Sequence, residues 1–148
     1  MSERPGTATN DDASPGNVGE SWLVKLRPAQ AVPLTTDVTS TVISQAVPGG
    51  DYFAQFTAAY HSPNGNTVPI YVKQGVSVLP ATLGDPGNLG GWSSDYLEVA
   101  IPEDPAYVSP IVRLTFDARG GTIYANAESE FGSGLLLVYG ALLIWRKR

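Results

Sequence analysis

The chain has 148 residues, a formal charge of −5 and no cysteine. A chain of that length suits one domain, which buries about 70% of its unfolded surface and needs neither metal nor disulfide to be stable. The missing thiols exclude a disulfide framework, a thiolate nucleophile and any cysteine-based zinc or iron site; the acidic balance argues against a binder of phosphate backbones, which displays clustered Lys and Arg.

Residues 1–20 consist largely of Pro, Gly, Ser, Thr, Asn and Asp with no apolar stretch. That composition predicts an N-terminal arm, flexible or ordered by a partner, without a secretion signal, so synthesis in a cytoplasm is expected. The folded domain is expected to span residues 21–148. Trp22, Val24 and Leu26 alternate with Leu23, Lys25 and Arg27 and predict a first strand, which Pro28 and Pro33 limit or place at an edge. Thr39 to Val47 is the next strand, closed by a turn at Pro48-Gly49-Gly50-Asp51. From Tyr52 to Tyr60 the even positions Tyr52, Ala54, Phe56, Ala58 and Tyr60 suit a core, while Gln55 and Thr57 face away. The Asn64-Gly65 pair that follows is a strong hairpin signal and predicts a return through Val68 to Lys73.

Val76 to Leu79 reads as a further short strand, and Thr82 to Asp95, with four glycines, as a long surface loop. Strands are predicted at Tyr96–Ile101, Ile111–Asp117 and Thr122–Glu128, the last two joined by Arg119-Gly120-Gly121. Leu135 to Trp145 is an unbroken apolar run ahead of Arg146, Lys147 and Arg148. It is shorter than the roughly 20 residues of a membrane-spanning helix. It therefore predicts a final strand covered on both faces, inside a sandwich or at a subunit contact. Eight or nine short strands in this order predict an all-β fold, a two-sheet antiparallel jelly-roll sandwich preceded by the arm.

Catalytic and metal-binding patterns are missing from the sequence. His61 is the single histidine, and no Gly-x-Ser-x-Gly elbow accompanies it, so it reads as a turn residue. The carboxylates Asp95, Glu98, Glu103 and Asp104, and the pair Glu128 and Glu130, lack the Asp-x-Asp-x-Asp spacing of a calcium loop and read as solvated charge. The expectation is a non-enzymatic protein without cofactor or metal. Aromatic residues on strands carry more information, because Tyr and Trp join a large apolar area to a polar tip and are enriched at contacts. Tyr71, Tyr124 and Tyr139 are candidates for an oligomer interface, the first two projecting opposite the inferred core face. Trp22 and Leu23, directly after the arm, are candidates for anchoring to an assembly, and Trp92 is a candidate contact for a receptor or glycan.

Val47-Pro48-Gly49-Gly50-Asp51-Tyr52-Phe53 resembles the V-P-G-x-Y-x-F approach to a central strand in the globular-head family shared by complement and tumour-necrosis-factor-like proteins. Glu130-Phe131-Gly132-Ser133-Gly134-Leu135-Leu136-Leu137 is similar to that family's F-S-G-F-L-L approach to its last strand. The resemblance covers residues 30–148 and implies a jelly roll that assembles as a homotrimer. One residue is inserted in the first motif, Gly132 follows Phe131 in the second, and no collagen-like run is present. Small jelly rolls of this type also occur on bacteriophage particles as head decorations, tail-tip proteins or fibres. The resemblance thus implies a bacteriophage structural protein located in the virion after synthesis in the host cytoplasm. Its implied partners are copies of itself, other virion proteins and a host-surface glycan or receptor, without nucleic-acid binding or membrane insertion. The alternative is a receptor- or carbohydrate-binding adhesion module that uses Trp92.

Overall fold

The period-two stretches become strands in a computed structural model, which describes residues 9–10, 21–63, 70–84, 90–99, 106–130 and 136–147. In chain order these are β1 (Thr9–Asn10), β2 (Ser21–Leu26), β3 (Val32–Leu34), β4 (Ser40–Val47), β5 (Gly50–His61) and β6 (Ile70–Ser77). They continue with β7 (Gly91–Ser93), β8 (Leu97–Val99), β9 (Ala106–Val108), β10 (Val112–Phe116), β11 (Gly121–Glu130) and β12 (Leu136–Arg146). A 3-10 turn at Pro28–Gln30 is the one helical element among the described residues.

Two antiparallel sheets result. The first runs β1-β2-β12-β5-β10, with β3 beside β12 and β9 beside β5; the second runs β4-β11-β6-β7, with β8 beside β6. From β4 to β6, and again from β10 to β12, each successive strand changes sheet. This wrapping, with the last strand between β2 and β5, is jelly-roll topology.

The topology corrects the hairpin expected at Asn64-Gly65, residues that themselves lie outside those described. β5 pairs with β12, β10 and β9, whereas β6 pairs with β11, β7 and β8, so the connection between β5 and β6 crosses from sheet to sheet. Both strands have an apolar face, and those faces meet across the core instead of lying side by side. The short strand expected at Val76–Leu79 is also revised, because β6 runs unbroken from Ile70 to Ser77. Within the loop expected at Thr82–Asp95, Gly91–Ser93 is an edge strand.

The core is built as the alternation predicts. Tyr52, Ala54, Phe56, Ala58 and Tyr60 are fully buried, and on β12 they face Val138, Leu142 and Ile144 through the pairs Val138↔Tyr60, Leu142↔Phe56 and Ile144↔Ala54. The second sheet closes over them with Ile70, Val72, Val76, Ile123 and Ala125. Trp22 and Phe116 both pack edge-on against Tyr52, with ring centroids 5.8 and 6.1 Å away, and the Tyr52 hydroxyl donates to the Pro48 carbonyl at 2.6 Å. Gly140, at φ +146, lets β12 approach β5 closely, since a Cβ there would stand 1.9 Å from the Thr57 carbonyl oxygen.

After β6 the chain doubles back over the outer face of the second sheet. Asn126 holds it there: its side-chain amide donates to the carbonyls of Leu79 (3.2 Å) and Thr82 (2.8 Å). The Asn126 Oδ1 accepts from the Thr41 hydroxyl (3.0 Å) and the Ala81 amide (3.2 Å). Asn126 and Ser77, both at outward positions, are fully buried by this strap. The outer face of the second sheet is thus polar and partly roofed.

Candidate interaction face

The outer face of the first sheet has a different composition. Because even-numbered residues of β2, β5 and β12 point into the core, their odd-numbered neighbours point away. The outward row contains Leu23 opposite Leu143 and Trp145 opposite Phe53, whose rings lie 5.8 Å apart. Gln55, opposite Leu143, and Thr57, opposite Ala141, share this face, and beyond them Val108 of β9 and Ile111, just before β10, have relative exposures of 59% and 57%, while Leu143 has 36%. Tyr139 and Leu137 continue it toward the far end of β12, where Leu137 is opposite His61. The unbroken apolar run of the sequence is thereby explained, since even positions fill the core and odd positions form this surface. The sandwich covers one face of β12, and the expected second cover is not supplied by the described residues.

Polar groups rim the surface. At one corner Asp51 accepts from the Thr115 hydroxyl at 2.8 Å and pairs with Arg113 at 3.5 Å. The Thr115 hydrogen bond, helped by the charge of Arg113, holds the Asp51 carboxyl below its ordinary range. Next to it, Arg119 bonds Asp117 at 2.9 Å and lowers that carboxyl as well.

The residues singled out by sequence fall on several surfaces. Trp22 is 5% exposed and packs in the core against Tyr52; Leu23, one step along, is on the outer face. Tyr71 and Tyr124 are half-buried on the outer face of the second sheet, toward opposite ends of β11, and Tyr139 is on the outer face of the first sheet. Trp92 is half-buried in β7 and packs against the core cluster. His61 closes β5 half-buried. Most of the second family-like motif, from Phe131 to Leu135, lies outside the described residues. Sequence reasoning missed Phe53, Val108, Ile111, Leu143 and Trp145 as surface residues; the doubled apolar register of β12 was the signal for the last two. Among the described residues no group of three or more His, Asp and Glu side chains is placed to hold a metal ion. No helix among them is long and apolar enough to cross a membrane.

Fold and face together define an antiparallel jelly-roll module whose first sheet carries a partly apolar outer face that the described residues leave uncovered. A chain of this fold is the VP2 protein in the crystal structure of the infectious bursal disease virus subviral particle, which superposes with a TM-score of 0.60 over 90% of this chain at 8% identity. This chain spans 36% of that VP2 chain. A structure of the Gx strain of the same virus aligns with 95% of this chain and 32% of its own at 8% identity, with a TM-score of 0.39. No protein-family model matches the sequence, and no curated protein sequence does. The complement and tumour-necrosis-factor-like resemblance therefore has no sequence relative behind it, and the likeness to VP2 is one of fold.

Proposed function

We propose that the chain is a non-enzymatic structural protein of a bacteriophage particle, displayed on the head or tail, which assembles with copies of itself through the outer face of the first sheet. The apolar cluster of Leu23, Leu143, Phe53 and Trp145, bordered on the same face by Gln55, Thr57 and Lys25, is the observation that carries this reading, because an exposed apolar cluster rimmed by polar residues marks a contact site. Eight steps of β12 at about 3.4 Å and four strands at about 4.8 Å give a projected area of roughly 400–500 Å². Added to its polar rim, that approaches the approximately 800 Å² that each partner of a standard interface contributes. A fold shared with a protein of a viral particle agrees with the reading.

A threefold ring is head-to-tail, so each copy offers two different surfaces. Tyr139 on the first sheet and Tyr71 or Tyr124 on the second then belong to opposite sides of one contact. Residues 1–20 act as tether, with Leu23 beside them as the outward anchor.

Sedimentation equilibrium of the full chain and of Leu143→Glu tests the proposal. Leu143 still exposes 36% of its surface, so its further burial contributes about 0.5–1 kcal/mol, and an unpaired carboxylate trapped in its place costs several more. Association is expected to weaken by more than about 100-fold. A wild-type chain that sediments as a monomer at tens of micromolar, as Leu143→Glu does, refutes self-assembly through this face.

A further inference from the structure

Beside the apolar face, with which it shares Val108, lies the edge of the sandwich where β7 and β8 border β9. There the edge strand is interrupted. β6 pairs Gly75 with Ser93 and Val72 with Leu97, so three residues of the edge oppose two of β6 and form a bulge at Ser94–Tyr96. The Ser94 hydroxyl accepts the Gln74 amide at 3.0 Å, and the Ser94 amide donates to the Gln74 carbonyl at 2.8 Å. Below the bulge, the fully buried Gln74 side chain accepts from the Tyr60 hydroxyl (2.8 Å) and donates to the Tyr107 carbonyl (3.0 Å). Burial pushes the Tyr60 hydroxyl above the ordinary tyrosine range, which keeps its proton available for this bond. The floor is therefore fixed before any ligand arrives.

Above that floor lies a cavity of about 420 Å³, lined by residues of β6, β7, the bulge, β8 and β9. Its size falls within the roughly 300–1,000 Å³ of small-molecule sites. Trp92 and Tyr107 form its aromatic walls. Three lining groups have no partner among the described residues: the Trp92 indole N–H, the Ser93 hydroxyl and the Asp95 carboxylate. This set comprises a flat apolar ring, one donor, one hydroxyl that does both, and one charged acceptor. A phosphate is a poor match, since no Lys or Arg lines the cavity and Asp95 repels it. A metal cation is also disfavoured, because Asp95 is the single carboxylate among the lining residues, too few for a hard cation that takes six or more oxygens.

We propose that this cavity binds a neutral hexose residue, its C–H face stacked on Trp92 and adjacent hydroxyls donating to Asp95. Sugar rings present an apolar face edged by hydroxyls, which are the two features the cavity answers. The site lies within one copy of the chain and shares only Val108 with the proposed assembly face, so the sugar assay reads it separately from assembly.

Saturation-transfer NMR on the full chain tests this, with the methyl glycosides of glucose, galactose, mannose and N-acetylglucosamine and their β-linked disaccharides at about 5 mM, a range suited to weak single-sugar binding. At least one sugar is expected to receive transfer. Stronger transfer to a disaccharide identifies a glycan chain as the source, and equal transfer a free sugar; either supports the site. Trp92→Ala abolishes the signal but also removes packing, so Asp95→Asn, on the exposed bulge, is the decisive variant. It is expected to weaken binding about tenfold, the usual loss for a hydrogen bond to a charged group. No transfer to any sugar of the panel, or transfer undiminished in Asp95→Asn, overturns the proposal.

Discussion

Replacing Asn126 with alanine removes the side chain that makes most of the hydrogen bonds tying the strap after β6 to the second sheet. Four hydrogen bonds go with it, at 2.8, 3.0, 3.2 and 3.2 Å, from a residue with no exposed surface. At about 0.5–1.5 kcal/mol net each, simple addition gives roughly 2–6 kcal/mol. The true loss lies toward the lower end, because Leu79 and Ala81 are exposed and their backbone groups regain water once the strap lifts. An expected loss of about 2–3 kcal/mol lowers the melting temperature by roughly 5–10 °C in a domain of this size. Hydrogen exchange locates the effect. The Ala81 amide donates to both Thr41 Oγ1, at 2.9 Å, and Asn126 Oδ1, so its protection falls in Asn126→Ala while that of Phe56, in the central strand, follows only the global stability. A stability change below about 0.5 kcal/mol with Ala81 still protected would falsify the assignment of Asn126 as the strap's anchor.

Other consequences are equally direct. Gly140→Ala forces a Cβ against the Thr57 carbonyl and an unfavourable φ of +146, and is expected to cost about 2–4 kcal/mol by parting β12 from β5; chemical denaturation measures it. Asp51 has a folded-state pKa depressed chiefly by Thr115, so its stabilising contribution is present above the ordinary carboxylate value of 3.8 and is lost as pH falls through the lower folded value. In an NMR titration Thr115→Val returns Asp51 toward that ordinary value, and an unmoved titration removes the hydroxyl from its assigned role. Deleting residues 1–20 is expected to leave a folded, self-associating domain that is no longer incorporated into particles; truncated protein present at full occupancy contradicts the tether.

Legibility in the sequence followed the length of each alternating stretch. β2, β4, β5, β10, β11 and β12 are read within one or two residues, because each spends five or more residues with one face in the core. Of the three-residue strands, β8 falls within the expected Tyr96–Ile101, whereas β3, β7 and β9 left no period to register and exist because a long neighbour, β12, β6 or β5, offers its edge. Pairing was the larger failure. Asn64-Gly65 reports that the chain reverses, whereas the sheet that receives the returning strand is decided by which apolar faces meet. β6 was split because Lys73, Gln74 and Gly75 look like a polar break; Gln74 instead points inward, its polarity satisfied by Tyr60 and Tyr107. The apolar face was half legible, as the doubled register of the last strand, but Phe53 and Val108 reach it through pairing that only the topology supplies. The cavity at the bulge draws on four separate strands and left no linear trace beyond Trp92.

A chain without cysteine permits a single thiol to be placed where the copies are proposed to meet. Maleimide labelling of Leu143→Cys, with Thr35→Cys in the exposed loop between β3 and β4 as reference, reads the burial of the first sheet's outer face as the protein is concentrated from nanomolar to tens of micromolar. Position 143 is predicted to become protected over the range in which the chain self-associates, while position 35 labels at a constant rate. Equal labelling of both positions in the associated protein would contradict assembly through that face.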